Sequence, residues 1–494
     1  MSTSFPSTDH EGPSPTDSAM PAAPLHLAIH GHFYQPPRQN PFTGLVDREP
    51  EAEPFHDYNE RIWAECYLPN AEAGNFHLMS FDLGPTLAAW MRAAHPATLR
   101  LIANATRTAG APAGNAMAQA YHHTILPLAT EREKRLQIAW GVGAFRRTFG
   151  RLPAGMWLPE AAVDDATLGI MAELGVRYTV LAPWQAARGG EIDATEPYRV
   201  ATGNGRDVAV FFYNSVLSGN VSFNDDATSD AGRFAASDLT AHINRAKQAA
   251  GRPQIVLVAT DGELYGHHKR FRDLFLSHLL RVEAPAHGFE VTSPGAYLAL
   301  YPPTQSMAVR DGTSWSCVHG VARWDAGCTC TGDAASTAWK RPLRAALRGL
   351  ASRVDDLFEA ETAALLSDPW TALEGYMDVH EGAMVSADYW PLHVWHGRAL
   401  RPMEEQRLHG LMEMQVARQA MFVSCAWFFD DLDRIEPRIA LAYAHRAVAL
   451  AATHGAADLG PAFARDLAAS VSARSGRSAA DLYHEFAESV AGVA

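Results

Sequence analysis

The chain has few cysteines, a deficit of positive charge and no long hydrophobic run. Its 494 residues include only five cysteines, a small and odd number that does not suit a disulfide framework. Lysine and arginine total 41 against 55 aspartates and glutamates, and the net charge of −14 argues against binding to a nucleic-acid backbone. No apolar run approaches the roughly 20 residues that a membrane-spanning helix needs. The N-terminus also lacks the pattern of a signal peptide, so we expect a cytoplasmic protein with no nucleic-acid or membrane partner.

What the chain does contain is an ordinary hydrophobic fraction of 47%, enough to bury a large core. Residues 1–24 are rich in Ser, Thr, Pro and Asp and are interpreted as a disordered tail. From residue 25 to about 310, short β-rich runs alternate with amphipathic stretches, which predicts an α/β fold with parallel strands. We favour a barrel over an open, doubly wound sheet. Residues 311–494 lose the strand pattern and are predicted to form a helical C-terminal domain.

The predicted elements follow from apolar periodicity. Strands are predicted at residues 25–32, 76–81, 155–158, 178–182, 208–213, 255–260 and 289–292. Helices are predicted at residues 131–149, 164–174, 235–250, 268–282, 343–366, 404–427 and 438–452.

Three predicted strand ends carry many polar and aromatic residues: 29–36 (Ile-His-Gly-His-Phe-Tyr-Gln-Pro), 155–160 (Gly-Met-Trp-Leu-Pro-Glu) and 258–267 (Val-Ala-Thr-Asp-Gly-Glu-Leu-Tyr-Gly-His). In parallel α/β folds the active site forms where the carboxyl ends of the strands converge. Glu160 alone is also explained as an acid at a helix N-terminus, and Asp261 with Glu263 as turn acids or metal ligands. Together, however, two carboxyl groups at one barrel mouth are what glycoside hydrolysis requires.

Aromatic and histidine side chains near these carboxylates extend the candidate site. Trp157, Tyr265 and Trp315 would offer flat faces on which pyranose rings stack. His30 and His32 are two residues apart on a strand and therefore point to the same face. They could coordinate Zn²⁺ with Asp261, bind sugar hydroxyls, or bond backbone carbonyls in a core. The same three interpretations apply to His123.

Four segments in order make the sequence resemble glycoside hydrolase family 57, the retaining α-glucan-active enzymes that include amylases, 4-α-glucanotransferases and branching enzymes. They are residues 30–36 (the His-x-His-Gln-Pro region with Phe33 and Tyr34 inserted), 121–128 (Tyr-His-His-Thr-Ile-Leu-Pro-Leu), 157–160 (Trp-Leu-Pro-Glu) and 261–267 (Asp-Gly-Glu-Leu-Tyr-Gly-His). A fifth region, an aromatic-bearing helix in the family, is matched loosely by residues 424–429 (Ser-Cys-Ala-Trp-Phe-Phe).

The resemblance implies a (β/α)7 barrel over residues 25–310, followed by a helical domain that shapes one wall of the cleft. It implies Glu160 as nucleophile, Asp261 as general acid/base, and no obligatory metal or cofactor. Substrate contacts are then expected from His30, His32, Gln35, His123, Trp157, Tyr265, His267, Trp315 and Trp427.

The leading hypothesis is an enzyme that cleaves or transfers α-1,4-linked glucans, with an α-glucan or malto-oligosaccharide as substrate. Hydrolysis and transglycosylation both stay open, since they share the glycosyl-enzyme and differ in the acceptor, and the oligomeric state is undetermined. One alternative is a zinc-dependent carbohydrate deacetylase or mannosidase-like barrel that uses His30, His32 and Asp261 as ligands. Another is a glucan-binding protein without catalysis, against which the presence of both Glu160 and Asp261 argues.

The stretch from Trp315 to Cys330 is dense in soft metal ligands, namely Cys317, His319, Cys328 and Cys330. A Cys3His zinc site is chemically possible, although Cys-x-His and Cys-x-Cys differ from the common Cys-x2-Cys spacing. The other interpretations are a loop over the cleft with reduced thiols, or a local disulfide. We expect Trp315 in this loop, and also Trp427 in the helical region, to lie within reach of the cleft between Glu160 and Asp261.

Overall fold

A computed structural model describes residues 24–108, 114–187, 192–330, 333, 335–456 and 458–492. The tail predicted over residues 1–24 lies outside these residues, except for Pro24. The strands are β1 (Leu25–Phe33), β2 (Ser80–Leu83), β3 (Ala116–Gln119), β4 (Met156–Trp157), β5 (Tyr178–Leu181), β6 (Tyr198–Ala201), β7 (Asp207–Phe212), β8 (Gln254–Asp261), β9 (Phe289–Val291) and β10 (Gln305–Ser306).

The helices of the barrel region are α1 (Tyr58–Ile62), α2 (Leu68–Glu72), α3 (Pro85–Ala94), α4 (Pro96–Thr108), α5 (Glu131–Phe149), α6 (Asp165–Glu173), α7 (Ser215–Phe223), α8 (Ala231–Arg233), α9 (Arg245–Ala249), α10 (Arg272–His278), α11 (Ala284–Ala286) and α12 (Pro294–Leu300). Those of the C-terminal region are α13 (Lys340–Thr362), α14 (Pro369–His380), α15 (Ser386–Tyr389), α16 (Pro402–Ala420), α17 (Ile435–Thr453), α18 (Leu459–Leu467) and α19 (Ala479–Val490). No helix in the described part of the chain is both long enough and apolar enough to cross a membrane.

Seven parallel strands form the barrel, and β1, which is one of them, is buried on both faces. On one side β1 pairs with β2, β2 with β3, and β3 with β4; on the other side β1 pairs with β8. A bridge between Gly155 and Tyr178 joins β4 to β5, and β5 pairs with β7. The circle closes where the Asn214 N–H donates to the Leu257 carbonyl at 2.7 Å, which links the end of β7 to β8. The predicted α/β barrel followed by a helical region is confirmed.

Several predicted boundaries are wrong. The predicted strand 76–81 starts too early, because residues 76 and 77 belong to a 3-10 turn over Asn75–His77 and the strand begins only at Ser80. The barrel strand β3 was not predicted, because Ala-Met-Ala-Gln contains no β-branched or aromatic residue. The predicted strand 289–292 exists as β9, but it pairs with β1 beside the barrel path. The predicted helix 404–427 ends at Ala420, where the chain turns so that Val423 can pair with Thr124.

Two hydrophobic cores organise the described residues. The first fills the barrel and its helices, and the second joins the C-terminal helices to the outer face of α5 through Leu136, Trp140 and Ala144. Trp315 packs against the first core and Cys317 belongs to the second, so the segment between them lies where the cores meet.

Candidate active site

Two buried histidines near the carboxyl end of β1 share one carboxylate from β2. A hydrogen bond joins His30 Nε2 to Asp82 Oδ1 at 3.0 Å, and another joins His32 Nδ1 to Asp82 Oδ2 at 2.9 Å. Gln119 from β3 donates to Asp82 Oδ2, and Ser80 holds the other nitrogen of His30. Burial by itself would lower the pKa of His32, but the Asp82 carboxylate, with smaller contributions from Asp261 and Glu263, outweighs it and raises that pKa to about 9. His32 is therefore a cation at neutral pH.

Asp82 is the residue of this group that the sequence did not single out. Burial favours its neutral form, yet His32 and His30 together hold the pKa of the Asp82 carboxyl below its usual range. Its signal in the sequence was weak: an Asp between two apolar residues, Phe81 and Leu83, where a buried strand requires a partner for the charge.

Five aromatic and imidazole rings stack in a column at the barrel mouth. Neighbouring ring centroids lie 4.8 Å apart for His30 and Trp157, 5.3 Å for Trp157 and His32, 5.1 Å for His32 and His123, and 3.9 Å for His123 and Tyr34. Two buried nitrogens in the column, Nε1 of Trp157 and Nε2 of His123, have no hydrogen-bond partner among the described residues. Each of these buried nitrogens leaves a hydrogen bond unmade, which costs free energy.

Glu160 follows β4 in a strained backbone conformation. Its φ of 56° and the φ of 46° at Ala161 lie in the left-handed region, where residues with a Cβ are uncommon and clustered at functional sites. The carboxylate is oriented by two donors, because Glu160 Oε2 accepts a hydrogen bond from Ser316 Oγ at 2.6 Å and another from Trp315 Nε1 at 3.2 Å. Burial raises the pKa of Glu160, Ser316 opposes this, and the charge of Asp261 adds to it.

Asp261 ends β8, directly opposite His32 in the register of the β1–β8 pair. Asp261 is exposed to solvent, but the atoms packed around it desolvate its carboxyl group and raise its pKa, although His32 and His268 oppose the change. Two residues later, Glu263 is buried and accepts hydrogen bonds from the Tyr67 hydroxyl at 2.7 Å and from the Tyr34 N–H at 3.2 Å. Burial raises the pKa of Glu263 to about 7, against the effect of the Tyr67 hydrogen bond.

The charges of this region act on one another. His32 interacts electrostatically with both Glu160 and Asp261, and Glu160 also senses Asp261. Two carboxyl groups from different strand ends thus converge on one imidazolium. Such an arrangement suits a reaction in which negative charge passes from one carboxyl to the other.

Comparison with known families decides the identity. Residues 23–310, more than half of the chain, match the model of glycosyl hydrolase family 57. The chain belongs to this family. Residues 336–491 match a second model, a domain of unknown function (DUF3536). A search of curated proteins returns no significant match.

Solved structures share the family 57 architecture at low identity. An exo-type maltose-forming amylase from Pyrococcus sp. ST04 is 16% identical with a TM-score of 0.72, over 94% of this chain and 88% of that one. A family 57 branching enzyme from Thermococcus kodakaraensis, crystallised with glucose, is 14% identical with a TM-score of 0.60, over 94% of both chains. A 4-alpha-glucanotransferase from Thermococcus litoralis is 14% identical with a TM-score of 0.53, over 87% of this chain and 60% of that one. At these identities the likeness establishes the fold.

Other residues expected to contact sugar in this family 57 protein are less accessible. Trp157 and Tyr265 are almost fully buried, so neither presents an open face; Trp157 instead supports the two histidines. His267 Nδ1 bonds Glu65 Oε2 at 2.5 Å, and Gln35 accepts a 3.4 Å hydrogen bond from Arg38.

The ring of Trp427 is fully buried in the second core, stacked on Phe422 and covered by the Arg344 guanidinium. Because these contacts cover the ring, it offers no exposed face to a sugar. His123 Nδ1 instead bonds the nearby Ser424 Oγ at 2.6 Å, which links the loose fifth segment to the ring column.

Metal-ligating groups in this family 57 chain gather at a different place from the carboxyl pair. Among the described residues, a set of side chains close enough to hold one ion is formed by Cys317, His319, Cys328 and Cys330. His30 and His32 are committed to Asp82 and form no such set with Asp261. The zinc deacetylase alternative is accordingly not favoured.

Proposed function

We propose that this family 57 protein cleaves or transfers α-1,4-linked glucans with retention of configuration, through a covalent glycosyl-enzyme. The observation that carries the proposal is the position of two carboxyl groups at the ends of barrel strands: Glu160 is held by Ser316 and Trp315 after β4, and Asp261 lies opposite His32 at the end of β8. Glu160 is assigned as the nucleophile and Asp261 as the general acid and base. The similar solved structures, which are named as an amylase, a branching enzyme and a glucanotransferase, support the substrate class.

The first step needs Glu160 ionised and Asp261 protonated. Hydrogen bonds from Ser316 and Trp315 stabilise the Glu160 carboxylate and aim its other oxygen at the anomeric carbon. The raised pKa of Asp261 favours the protonated form, which can donate a proton to the departing glycosidic oxygen. When the new C–O bond forms on Glu160, that residue becomes a neutral ester while Asp261 becomes the carboxylate.

In the second step the proton transfer runs in reverse, and His32 again acts on both carboxyl groups. Its charge faces both carboxyl groups, so it stabilises Glu160 before the first step and Asp261 after it. Asp261 then takes a proton from water or from an acceptor sugar, whose oxygen attacks the glycosyl-enzyme and releases Glu160. The number of negative charges beside His32 stays the same throughout, which keeps the cost of charge movement small.

We assign substrate binding to a polar atom that lacks a partner among the described residues and to the partly exposed ring of Trp315. Nε2 of His123 is assigned to a sugar oxygen, since burying it without a partner costs free energy. Trp157, which stacks on His30 and His32, is assigned a supporting role. Trp315, edge-on to Trp157 at 4.9 Å, is assigned as the stacking face beside Glu160.

We also infer that residues 25–310 form the catalytic barrel and that residues 311–494 form a helical domain beside it. The two hydrophobic cores support this division. The five free cysteines support the cytoplasmic location expected from the sequence, because reduced thiols persist in reducing compartments.

The proposal is tested with Glu160→Gln and Asp261→Asn, which preserve shape but remove the nucleophile and the proton donor. Each is expected to lower kcat on maltoheptaose by several orders of magnitude, whereas Glu290→Gln, a matched change at an exposed strand position, is expected to leave it unchanged. With a glycosyl fluoride, whose leaving group needs little protonation, Asp261→Asn is expected to retain glycosylation better than Glu160→Gln.

The same incubations report the outcome of the reaction. Products longer than maltoheptaose indicate transfer and shorter ones alone indicate hydrolysis, while NMR of the first product gives the anomeric configuration. Near-normal turnover in either carboxyl variant, or an inverted product, would contradict the assignment.

A further inference from the structure

We infer that Cys317, His319, Cys328 and Cys330 bind one zinc ion, in a tetrahedral site separate from the carboxyl pair. The four ligand atoms all lie within 4.8 Å of one another. Cys317 Sγ lies 3.5 Å from Cys328 Sγ and 3.7 Å from Cys330 Sγ. His319 Nδ1 lies 3.3 Å from Cys330 Sγ and 3.9 Å from Cys317 Sγ.

The four separations given are close to those of a tetrahedron around zinc. With zinc–sulfur bonds of about 2.3 Å and zinc–nitrogen bonds of about 2.0 Å, tetrahedral angles put two sulfurs about 3.8 Å apart and a sulfur and a nitrogen about 3.5 Å apart. A disulfide would require a sulfur–sulfur distance of about 2.05 Å. The described geometry therefore favours a shared ion over an oxidised pair.

The backbone of the loop is built to bring the two ligand pairs together. Gly320 and Gly327, which follow His319 and precede Cys328, both have positive φ angles, of 69° and 90°. A Cβ at Gly320 would lie 2.2 Å from the Gly312 carbonyl oxygen, and one at Gly327 would lie 2.7 Å from Thr337. Only glycine fits both turns, and the turns reverse the chain so that Cys-x-His meets Cys-x-Cys.

The charges around the four ligands are also compatible with a bound zinc ion. A zinc ion with three thiolates and a neutral imidazole carries a net charge of −1. The buried Lys340 ammonium interacts electrostatically with Cys328 and Cys317, and its Nζ is held by the carbonyls of Arg323 and Trp427. This fixed cation compensates the negative centre.

The position of the site connects it to Glu160. Trp315 and Ser316, the two donors to the Glu160 carboxylate, immediately precede the ligand Cys317. Arg323, between the two ligand pairs, donates to the Ser316 carbonyl at 2.9 Å. A metal that closes the loop from Cys317 to Cys330 would hold both donors in place, a positioning role that rests on the proposed function, whereas metal binding itself does not.

The test measures metal directly. The full chain is purified without chelators, and its zinc is quantified by mass spectrometry together with its reactive thiols. We expect about one zinc per chain, and three further reactive thiols after chelation. Replacement of zinc by Co²⁺ is expected to produce thiolate-to-cobalt charge-transfer bands and the visible bands of a tetrahedral site.

Variants identify the ligands. Cys328→Ser is expected to lose its zinc, and Cys425→Ser, a matched change at another partly buried cysteine, is expected to keep it. Wild-type protein that holds no zinc and takes up none from a Zn²⁺ titration would overturn the inference, as would a Cys317–Cys328 disulfide in the purified chain or equal metal loss in both variants. The wild-type measurements stand even if a variant fails to fold, and none of them depends on glycosidase activity.

Discussion

Glu133 joins the barrel to the helical region, and its replacement by glutamine is expected to lower the free energy of unfolding. The residue lies in the first turn of α5 and accepts hydrogen bonds from Arg348 of α13, at 2.6 Å, and from Arg418 of α16. Arg418 also donates to Asp355 at 2.6 Å. Glu133 and Arg418 are almost fully buried, so water screens their interaction little.

The magnitude comes from the pKa of Glu133. Burial by itself would raise this pKa, but Arg418 and Arg348 reverse the effect and lower it from 4.5 to about 2. One pKa unit corresponds to about 1.4 kcal/mol, so the ionised form adds roughly 3 kcal/mol to the free energy of unfolding at neutral pH. Because the folded-state pKa is the lower one, this contribution is present above about pH 4.5 and is lost as the pH falls towards 2.

The assay is equilibrium unfolding in urea, followed by circular dichroism, for wild type and Glu133→Gln. We expect the variant to be less stable by about 3 kcal/mol at neutral pH, with the difference shrinking below about pH 4.5. The control is Glu359→Gln, which removes the half-exposed pair of Arg132 and Glu359 between the same helices, α5 and α13, and is expected to cost at most about 1 kcal/mol. Equal losses in both variants, or a Glu133→Gln deficit that does not change with pH, would refute the reasoning.

Three further predictions concern the catalytic site. Trp315→Ala is expected to raise the ratio of hydrolysis to transfer and to weaken malto-oligosaccharide binding by about 1–3 kcal/mol, measured from maltoheptaose products and by calorimetry. If the distribution of product lengths and the binding affinity both stay unchanged, the Trp315 ring has only a structural role. Asp82→Asn removes the charge that keeps the pKa of His32 at about 9, so the basic limb of the kcat/KM profile is expected to move to lower pH, and an unmoved limb would show that catalysis does not need the His32 cation. A crystal structure with bound oligosaccharide is expected to place the carboxyl groups of Glu160 and Asp261 about 5–5.5 Å apart, and a separation near 9 Å would indicate inversion instead.

The sequence by itself was sufficient for the fold class, the family and the location of the candidate carboxylates. Its parallel α/β character showed in the alternation of apolar runs with amphipathic stretches, because burial on both faces of a strand leaves a continuous hydrophobic run. Glu160 and Asp261 could be singled out since each directly follows such a run, at the end where barrel active sites form. These features are local, and local patterns can be read along a chain.

Only the tertiary structure decided the partners of these residues. Three of these contacts join segments far apart in the sequence. Asp82 raises the pKa of His32, Ser316 and Trp315 donate hydrogen bonds to Glu160, and Trp427 is buried in the helical core. The same applies to the Cys317–Cys330 loop, whose four candidate ligand atoms come within 4.8 Å of one another in a segment that turns at two glycines. The physical reason is that pKa values, packing and metal geometry are set by the atoms within a few ångströms of a group, and folding, not chain order, determines which atoms those are.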